Sequence, residues 1–404
     1  MSAYVTHLES AIDGTVLPAD TVQSTHAGRP LWVRYDLERV HASVDREAWR
    51  ARPADMWRYR ELLPPSGQPV SLGESMTPLL PAPRLAAHLG LRHLLIKDES
   101  RLPTGSFKAR GMAMAVTMAR ELGLTRLATP TAGNAGGALA AYAARAGLEA
   151  YVFMPADTPA VNRYEAALYG AHAYVVDGLI NDCGAIVRDG AEAMEWFDMS
   201  TLKEPYRLEG KKTMGLELAD QLDWRLPDVI LYPTGGGTGL IGMWKAFAEL
   251  EALGWLETPR KPRLIACQSD GCAPIAAAYA AGSRFAQPPD DPATVASGIR
   301  VPVAVGDFMI LDAVRESGGA ALTAEEGRIQ EWMHLANALE GIALCPEAAA
   351  CVGVLEGLAR DCAVDLDEQV VIFNTGAAQK YVEAIGVELP LLEPPVDYAA
   401  LLPR

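Results

Sequence analysis

The stretch that decides the fold is Pro103-Thr104-Gly105-Ser106-Phe107-Lys108-Ala109-Arg110-Gly111, which links an apolar run at 94–96 to an amphipathic segment at 112–121. Pro and Gly predict a turn, and Ser106 is a favourable N-cap for a helix that places Lys108 at about its second position. The free N–H groups and positive dipole end of a first helical turn disfavour a cation there. They favour a neutral amine, which can attack a carbonyl group. A solvated surface lysine is an equally good interpretation of this stretch alone.

The composition is that of a globular chain with an acidic surface. The 404 residues are 50% hydrophobic and 21% charged, and 35 basic against 51 acidic residues give a net charge of −16. This charge argues against nucleic acid or an anionic membrane as the main partner. The sequence shows no signal peptide at 1–13 and no apolar run of about 20 residues, so we expect a cytoplasmic protein.

Strand and helix patterns alternate from about 71 to 385. Apolar runs predict strands at 94–97, 126–129, 150–154, 173–176, 229–231, 263–267 and 369–373. Amphipathic patterns predict helices at 113–121, 135–146, 160–169, 181–196, 240–253, 273–281, 325–339 and 347–359. Before this region, a short strand is expected at 32–36 and a short helix at 44–52. Such alternation predicts an α/β fold with largely parallel sheets covered on both faces.

A glycine-rich turn follows the predicted strand at 229–231. It consists of Gly235, Gly236, Gly237, Thr238 and Gly239 and opens the next predicted helix. Successive N–H groups at a helix start form an anion site, for which a phosphate is the natural ligand. The run 237–242 also matches the dinucleotide fingerprint, but the acidic residue expected about 20 positions later is late, at Asp270. A purely structural turn is the alternative.

Two further turns lie between a strand and a helix. The first contains Thr131, Ala132, Gly133, Asn134 and Ala135, whose N–H groups can hold a carboxylate. The second contains Thr375, whose hydroxyl can bond a ring nitrogen or cap a helix. Taken separately, ordinary turns explain both. Together with the lysine and the anion site, they match the needs of pyridoxal phosphate catalysis.

Other site chemistries are weakly represented. The seven histidines form no ligand-spaced cluster, and the six cysteines lack paired Cys-x-x-Cys spacing, so no metal is predicted. No Gly-x-Ser-x-Gly elbow is present.

From about 71 to 385, the chain resembles the threonine synthase family of fold type II pyridoxal phosphate enzymes. Besides 103–111, the matching elements are Ser71-Leu72-Gly73-Glu74, Thr77-Pro78-Leu79, Lys97-Asp98-Glu99, Gly133-Asn134, Arg207-Leu208-Glu209-Gly210 and Thr375-Gly376. The resemblance implies a tryptophan synthase β-like fold of two doubly wound domains with pyridoxal 5'-phosphate in the cleft between them. It also implies a homodimer.

The resemblance assigns roles to individual residues. It implies Lys108 as the Schiff-base lysine and general base, 235–239 as the phosphate loop, Asn134 beside the ring hydroxyl and Thr375 at the pyridine nitrogen. It places the substrate carboxylate at 131–135 and includes Arg207 in the substrate site. The domain bounds that follow are 71–115 with 205–388 for the large cofactor-binding domain and 116–204 for the smaller one.

The flanking segments fit the same picture. Some relatives begin with a zinc ribbon of two Cys-x-x-Cys-Gly pairs, and here Ser10-Ala11-Ile12-Asp13-Gly14 and Ser24-Thr25-His26-Ala27-Gly28 stand in their place. Residues 1–70 are therefore expected to form a ribbon-like remnant that binds no zinc. The Pro-rich residues 389–404 are expected to form a surface tail.

The expected function is elimination or replacement on a small L-amino acid, most specifically threonine synthase. The chain departs from the family pattern at two motifs that bind the substrate. The loop that reads Ser-Thr-Gly-Asn-Thr in the family has lost two hydroxyls here. The family's Asn-Ser-x-Asn-Pro run is replaced by Thr201-Leu202-Lys203-Glu204-Pro205. Lys203, Arg207, Lys211 and Lys212 are the cations that could compensate. A threonine/serine-type ammonia-lyase or a β-replacement enzyme is the alternative on the same scaffold. A NAD-dependent dehydrogenase and a non-catalytic relative are remote alternatives.

Overall fold

The computed structural model describes residues 1–392 and 394–395. The predicted tail at 389–404 therefore lies mostly outside the described residues. No helix in the described part of the chain is both long enough and apolar enough to cross a membrane.

The elements alternate as predicted. The strands are β1 (Val5–Ser10), β2 (Val16–Leu17), β3 (Leu31–Tyr35), β4 (Leu79–Pro81), β5 (His93–Asp98), β6 (Arg126–Pro130), β7 (Glu149–Pro155), β8 (His172–Val176), β9 (Phe197–Asp198), β10 (Val229–Pro233), β11 (Arg263–Ser269), β12 (Ala320–Ala324) and β13 (Gln369–Asn374). The helices are α1 (Leu37–Ser43), α2 (Arg46–Arg50), α3 (Pro83–His88), α4 (Lys108–Glu121), α5 (Asn134–Ala146), α6 (Ala160–Leu168), α7 (Ile180–Asp189), α8 (Ala191–Met194), α9 (Tyr206–Gln221), α10 (Thr238–Ala252), α11 (Pro274–Ala280), α12 (Asp307–Glu316), α13 (Ile329–Glu340), α14 (Pro346–Arg360) and α15 (Val382–Ile385).

A six-stranded sheet forms the larger part of the molecule. Its strand order is β12-β11-β10-β13-β5-β4, and every neighbouring pair is parallel except β5 with the edge strand β4. Successive residues of a strand face opposite sides of a sheet, so Ile230 and Tyr232 enter one apolar core and Val229 and Leu231 the other. Helices α9, α10 and α12 cover the first side, and α3, α13 and α14 cover the second.

A separate four-stranded sheet has the order β8-β7-β6-β9, and all its pairs are parallel. Helices α4 and α5 pack on one of its faces and α7 on the other. The prediction of largely parallel sheets covered by helices is confirmed. The proposed bounds of the two domains follow this division into sheets and stay a prediction.

The N-terminal residues form a three-stranded antiparallel sheet of order β2-β1-β3. The Tyr35 hydroxyl donates to Glu209 Oε2 at 2.7 Å, which ties this sheet to α9. This sheet lies in the segment expected to form a ribbon-like remnant, and that origin stays a prediction. That it binds no zinc stays a prediction.

Several elements differ from the prediction. The helix expected at 181–196 is divided at Gly190 into α7 and α8, and α9 and α12 were not predicted. Helix α9 lacks an amphipathic pattern because almost all of it is buried, including its charged residues. Those charges form buried pairs, such as Lys97 with Glu217 at 2.7 Å and Lys212 with Glu209 at 2.6 Å.

Candidate active site

Helix α4 begins at Lys108, one residue after Phe107, which occupies the N-cap position without a side-chain cap. The prediction that Ser106 caps this helix and that Lys108 is its second residue is therefore wrong. Ser106 adopts an extended backbone and bridges to Gly376, while the Phe107 N–H donates to the Thr375 carbonyl at 3.0 Å. This pairing with the chain after β13 takes Ser106 away from the cap and fixes Lys108 next to the end of the large sheet.

The Lys108 amine lies in an environment that disfavours its charge. Burial and, after it, the nearby Arg207 cation lower its pKa from 10.5 to about 7, while Glu347 acts in the opposite direction. No carboxylate lies within 4.0 Å of this amine in the described chain. Near neutral pH a large share of Lys108 is therefore unprotonated and nucleophilic, as the sequence argument predicted.

All but two of the predicted site residues meet at one cavity of about 510 Å³. Its lining joins the carboxyl ends of strands from both parallel sheets, which is where α/β proteins bind ligands. The lining includes Lys108, Thr131, Ala132, Gly133, Asn134, Ala135, Gly235, Gly236, Gly237, Thr238 and Thr375. Each of these residues was proposed as a site residue from the turn in which it lies, and the tertiary structure brings the turns together.

Two predicted residues do not line the cavity. Gly239 lies in α10, where an added Cβ would be 1.9 Å from the Tyr232 hydroxyl, so this glycine permits close packing below the loop. Arg207 is buried, and its Nη1 donates to the Met199 carbonyl at 2.5 Å. From there Arg207 acts on the site through its charge, which lowers the pKa of Lys108.

The glycine-rich turn forms a narrow cradle. A Cβ on Gly235 would lie 2.8 Å from Val301, one on Gly236 would lie 2.9 Å from Thr201, and one on Gly237 would lie 2.3 Å from Ile310. Gly237 also has a left-handed φ of 69°, which disfavours other residues. The turn leads into α10 at Thr238, so its backbone N–H groups lie at the start of a helix, where a phosphate can be bound.

The turn before α5 is held by its own threonine. Thr131 Oγ1 accepts the Gly133 N–H at 3.0 Å, and Asn134 Nδ2 donates to the Tyr381 hydroxyl at 2.8 Å. Asn134 Oδ1 is buried and has no hydrogen-bond partner among the described residues. A buried amide oxygen without a partner indicates a polar ligand group in the cavity. This observation and the glycine cradle fit pyridoxal phosphate.

Thr375 follows the last residue of β13 and lies against Cys345, with 3.8 Å between Oγ1 and Sγ. No helix begins directly after it, since the next helical turn is the 3₁₀ turn Ala378–Lys380 and α15 begins only at Val382. The alternative of a helix cap is therefore not supported, and Thr375 lines the same cavity as Lys108.

Sequence analysis missed Glu347 and Tyr381, which also line the cavity. Glu347 is in the first turn of α14, where an acidic residue is common because it compensates the helix dipole. Tyr381 belongs to no matching motif. Neither residue carries a local pattern that distinguishes it from an ordinary helix or loop residue.

The family model described as "Pyridoxal-phosphate dependent enzyme" matches residues 70–376. The chain is 36% identical to threonine synthase of Methanosarcina acetivorans, over 85% of this chain and 84% of that protein. It is 34% identical to threonine synthase of Methanocaldococcus jannaschii, over 89% of each, and 32% identical to that of Mycobacterium tuberculosis, over 87% of this chain and 96% of that protein.

Solved structures share the fold. Maize serine racemase matches with a TM-score of 0.65 and 21% identity, over 81% of this chain and 90% of that chain. Diaminopropionate ammonia lyase from Escherichia coli matches with a TM-score of 0.65 and 19% identity, over 78% and 89%. These matches confirm the predicted fold type II architecture, and the family identifies the cofactor as pyridoxal phosphate rather than a nicotinamide. The chain belongs to the threonine synthase family of pyridoxal phosphate-dependent enzymes.

Proposed function

We propose that this enzyme is a threonine synthase, which converts O-phospho-L-homoserine and water to L-threonine and phosphate. The single observation that supports this most is the identity of 32–36% to threonine synthases over most of the chain. The cavity supports it as well, because it combines a neutral amine, an anion cradle and a second anchor suited to a carboxylate.

The proposed roles of the chain's own residues are the following. Lys108 holds the cofactor and then takes and returns protons at the α-carbon of the substrate. The cradle 235–238 holds the cofactor phosphate, Asn134 and Thr375 bond the polar atoms of its ring, and 131–135 hold the substrate carboxylate. When bound, pyridoxal phosphate supplies an electron sink for the negative charge that develops on the substrate.

The substrate phosphate needs cations, and the structure offers a different set from the one predicted. Lys203 lines the cavity, but Arg207, Lys211 and Lys212 are buried and do not line it. Two further cations, Arg188 and Arg300, line the cavity as well. We propose Arg188, Lys203 and Arg300 as the group that attracts the phosphate of the substrate.

An ammonia-lyase acting on threonine or serine is the second candidate. It is favoured by Ala132 and Ala135, which stand where threonine synthases carry hydroxyls. A single experiment separates the two: the purified enzyme with pyridoxal phosphate is offered phosphohomoserine, threonine and serine in parallel. Phosphate release with threonine formation supports the synthase, whereas 2-oxo acid from threonine or serine alone refutes it. The Lys108→Ala variant should keep the circular dichroism spectrum of the parent and lose both reactions.

We also propose that the enzyme is a cytoplasmic homodimer acting on a small amino acid, which rests on the family resemblance. Light scattering coupled to size exclusion would give about twice the mass of the 43.2 kDa chain for a dimer. A monomer at micromolar concentration would contradict this proposal.

A further inference from the structure

Lys211 is a buried lysine without an acidic partner. It lies in α9, is only 1% exposed, and has no carboxylate within 4.0 Å of its amine among the described residues. Its neighbour Lys212 is equally buried but pairs with Glu209 at 2.6 Å and with Glu249 at 2.9 Å. A buried amine without a counter-charge is costly, so its presence beside a paired one calls for a specific role.

The Lys211 amine contacts the residue that precedes Lys108. Its Nζ donates a hydrogen bond to the Phe107 carbonyl. The Lys211 Nζ lies 4.1 Å from the centroid of the Phe107 ring, and the Lys108 Nζ lies 4.5 Å from the same centroid. Phe107 and Lys108 line the cavity, whereas Lys211 does not. The contacts of Lys211 with the site therefore run through Phe107.

Two glycines make this contact possible. A Cβ on Gly210 would lie 2.1 Å from the Arg110 carbonyl oxygen, so a larger residue there would push α9 away from α4. A Cβ on Gly111 would lie 3.0 Å from Lys211 Cε, so the lysine side chain passes directly over this glycine. The close crossing of the two helices thus brings the amine to the first turn of α4.

The backbone of Phe107 is held at both of its polar groups. Its N–H donates to the Thr375 carbonyl at 3.0 Å, and its carbonyl accepts the Lys211 Nζ. Phe107 is the N-cap of α4 and provides no side-chain cap, so the helix start has no local support of that kind. The loop after β13 and the helix α9 together fix the peptide that carries Lys108.

The surroundings of Lys211 suit a hydrogen bond from a neutral amine. Burial and, after it, the Lys108 and Arg207 cations lower the pKa of Lys211 well below its ordinary value. A neutral amine still donates an N–H group. Lys211 can therefore hold Phe107 without placing a second full charge beside Lys108.

We propose that Lys211 is a positioning residue for Lys108, because its hydrogen bond to the Phe107 carbonyl keeps the Lys108 amine where it links to the cofactor aldehyde. This inference rests on the proposed role of Lys108. In the link, the Lys108 nitrogen bonds to the aldehyde carbon, and both amine protons leave with the aldehyde oxygen as one water molecule. Lys211 exchanges no atom in this reaction. It lowers the entropy that is lost when the nucleophile is ordered.

The test compares two ligands in the Lys211→Met variant. Methionine is of similar length and still covers the Phe107 ring, but it donates no hydrogen bond. Pyridoxal phosphate can form the link, whereas pyridoxine phosphate carries an alcohol in place of the aldehyde and cannot. Calorimetric titration of the full-length, cofactor-free protein gives both dissociation constants. The affinity for pyridoxal phosphate should fall by about five- to tenfold, as for one lost hydrogen bond, and that for pyridoxine phosphate should not change.

Two further variants separate positioning from structural support. Lys212→Met changes the next residue of α9, which is also buried, while Lys245 still pairs with Glu209 at 2.6 Å and with Glu249 at 2.9 Å. We expect this control to have a lower melting temperature and an unchanged ratio of the two dissociation constants. Lys211→Gln retains an N–H donor on a slightly shorter side chain and should bind pyridoxal phosphate more tightly than Lys211→Met.

The outcomes distinguish the inference from its alternatives. An unchanged affinity for pyridoxal phosphate in Lys211→Met overturns it, and so does an equal loss for both ligands, which would show that Lys211 supports the whole cavity. A melting temperature lower than that of Lys212→Met would identify Lys211 as a structural residue and also overturn it. Equal binding by Lys211→Gln and Lys211→Met would exclude the hydrogen bond as the cause.

The proposed role of Lys108 is tested separately in the parent protein. Borohydride reduction of the protein with pyridoxal phosphate should place the cofactor on Lys108, as identified by mass spectrometry of its peptide. If the label is on another residue, or if pyridoxal phosphate binds no more tightly than pyridoxine phosphate, the role of Lys108 itself fails. That result is visible before any variant is made.

Discussion

The lowered pKa of Lys108 can be measured without turnover. At pH 7 an amine with a pKa of about 7 is about half unprotonated. For a lysine with the ordinary value of 10.5 the fraction is about one in three thousand. Since acylating reagents react with the neutral amine, the cavity gives Lys108 an advantage of about a thousandfold in neutral amine, before steric access is considered.

The assay is competitive acetylation of the cofactor-free protein over a range of pH, with a trace of reagent and a lysine-containing peptide in the same tube. Mass spectrometry of the Lys108 peptide then gives the extent of labelling relative to the reference. We expect a labelling midpoint near pH 7. A midpoint near that of the reference peptide would refute the argument that burial makes this amine neutral.

Two variants test the stated causes. Arg207→Met removes a cation that lowers the pKa of Lys108, so the midpoint should rise. Glu347→Gln removes a charge that raises this pKa, so the midpoint should fall below that of the parent. Shifts of the same sign in both variants would show that the electrostatic explanation is wrong.

Three further predictions concern residues that support the cavity around the Lys108 amine. Arg110→Met leaves the buried carboxylates of Glu99 and Glu217 without their main cation. The free energy of unfolding, measured by urea titration, should fall by about 3–5 kcal/mol, and a loss below about 1 kcal/mol would show that these ion pairs do not stabilise the fold. Gly237→Ala forces a left-handed φ at about 1–2 kcal/mol and meets a side chain, so cofactor affinity by absorbance titration should fall tenfold or more. Gly254→Ala places alanine at a similar φ of 67° in open space and should leave that affinity intact. Equal losses in both variants would contradict a role of the glycine-rich turn in binding the cofactor. Tyr381→Phe leaves the buried amide of Asn134 without an acceptor and should cost about 1–3 kcal/mol in urea, whereas no change would show that the contact is unimportant.

Much of the fold could be predicted because each parallel strand is a short apolar run, bounded by turn residues or by a helical segment close to it in the sequence. The strands predicted between 94 and 373 are all present, with ends displaced by at most two residues. Helix α9 escaped prediction because burial of its charges in ion pairs removes the apolar stripe on which periodicity depends. Ser106 was misassigned because its pairing with Gly376 involves residues 270 positions apart.

The sequence by itself determined the turns: a lysine at a helix start, a glycine cradle and two short loops that end strands. These are local because backbone conformation and helix ends depend on neighbouring residues. Tertiary structure alone decided that Arg207 lies behind the site, that Glu347 and Tyr381 enter it, and how far burial lowers the pKa of Lys108. Such properties depend on burial and on charges brought together from distant segments, and no stretch of sequence contains that information.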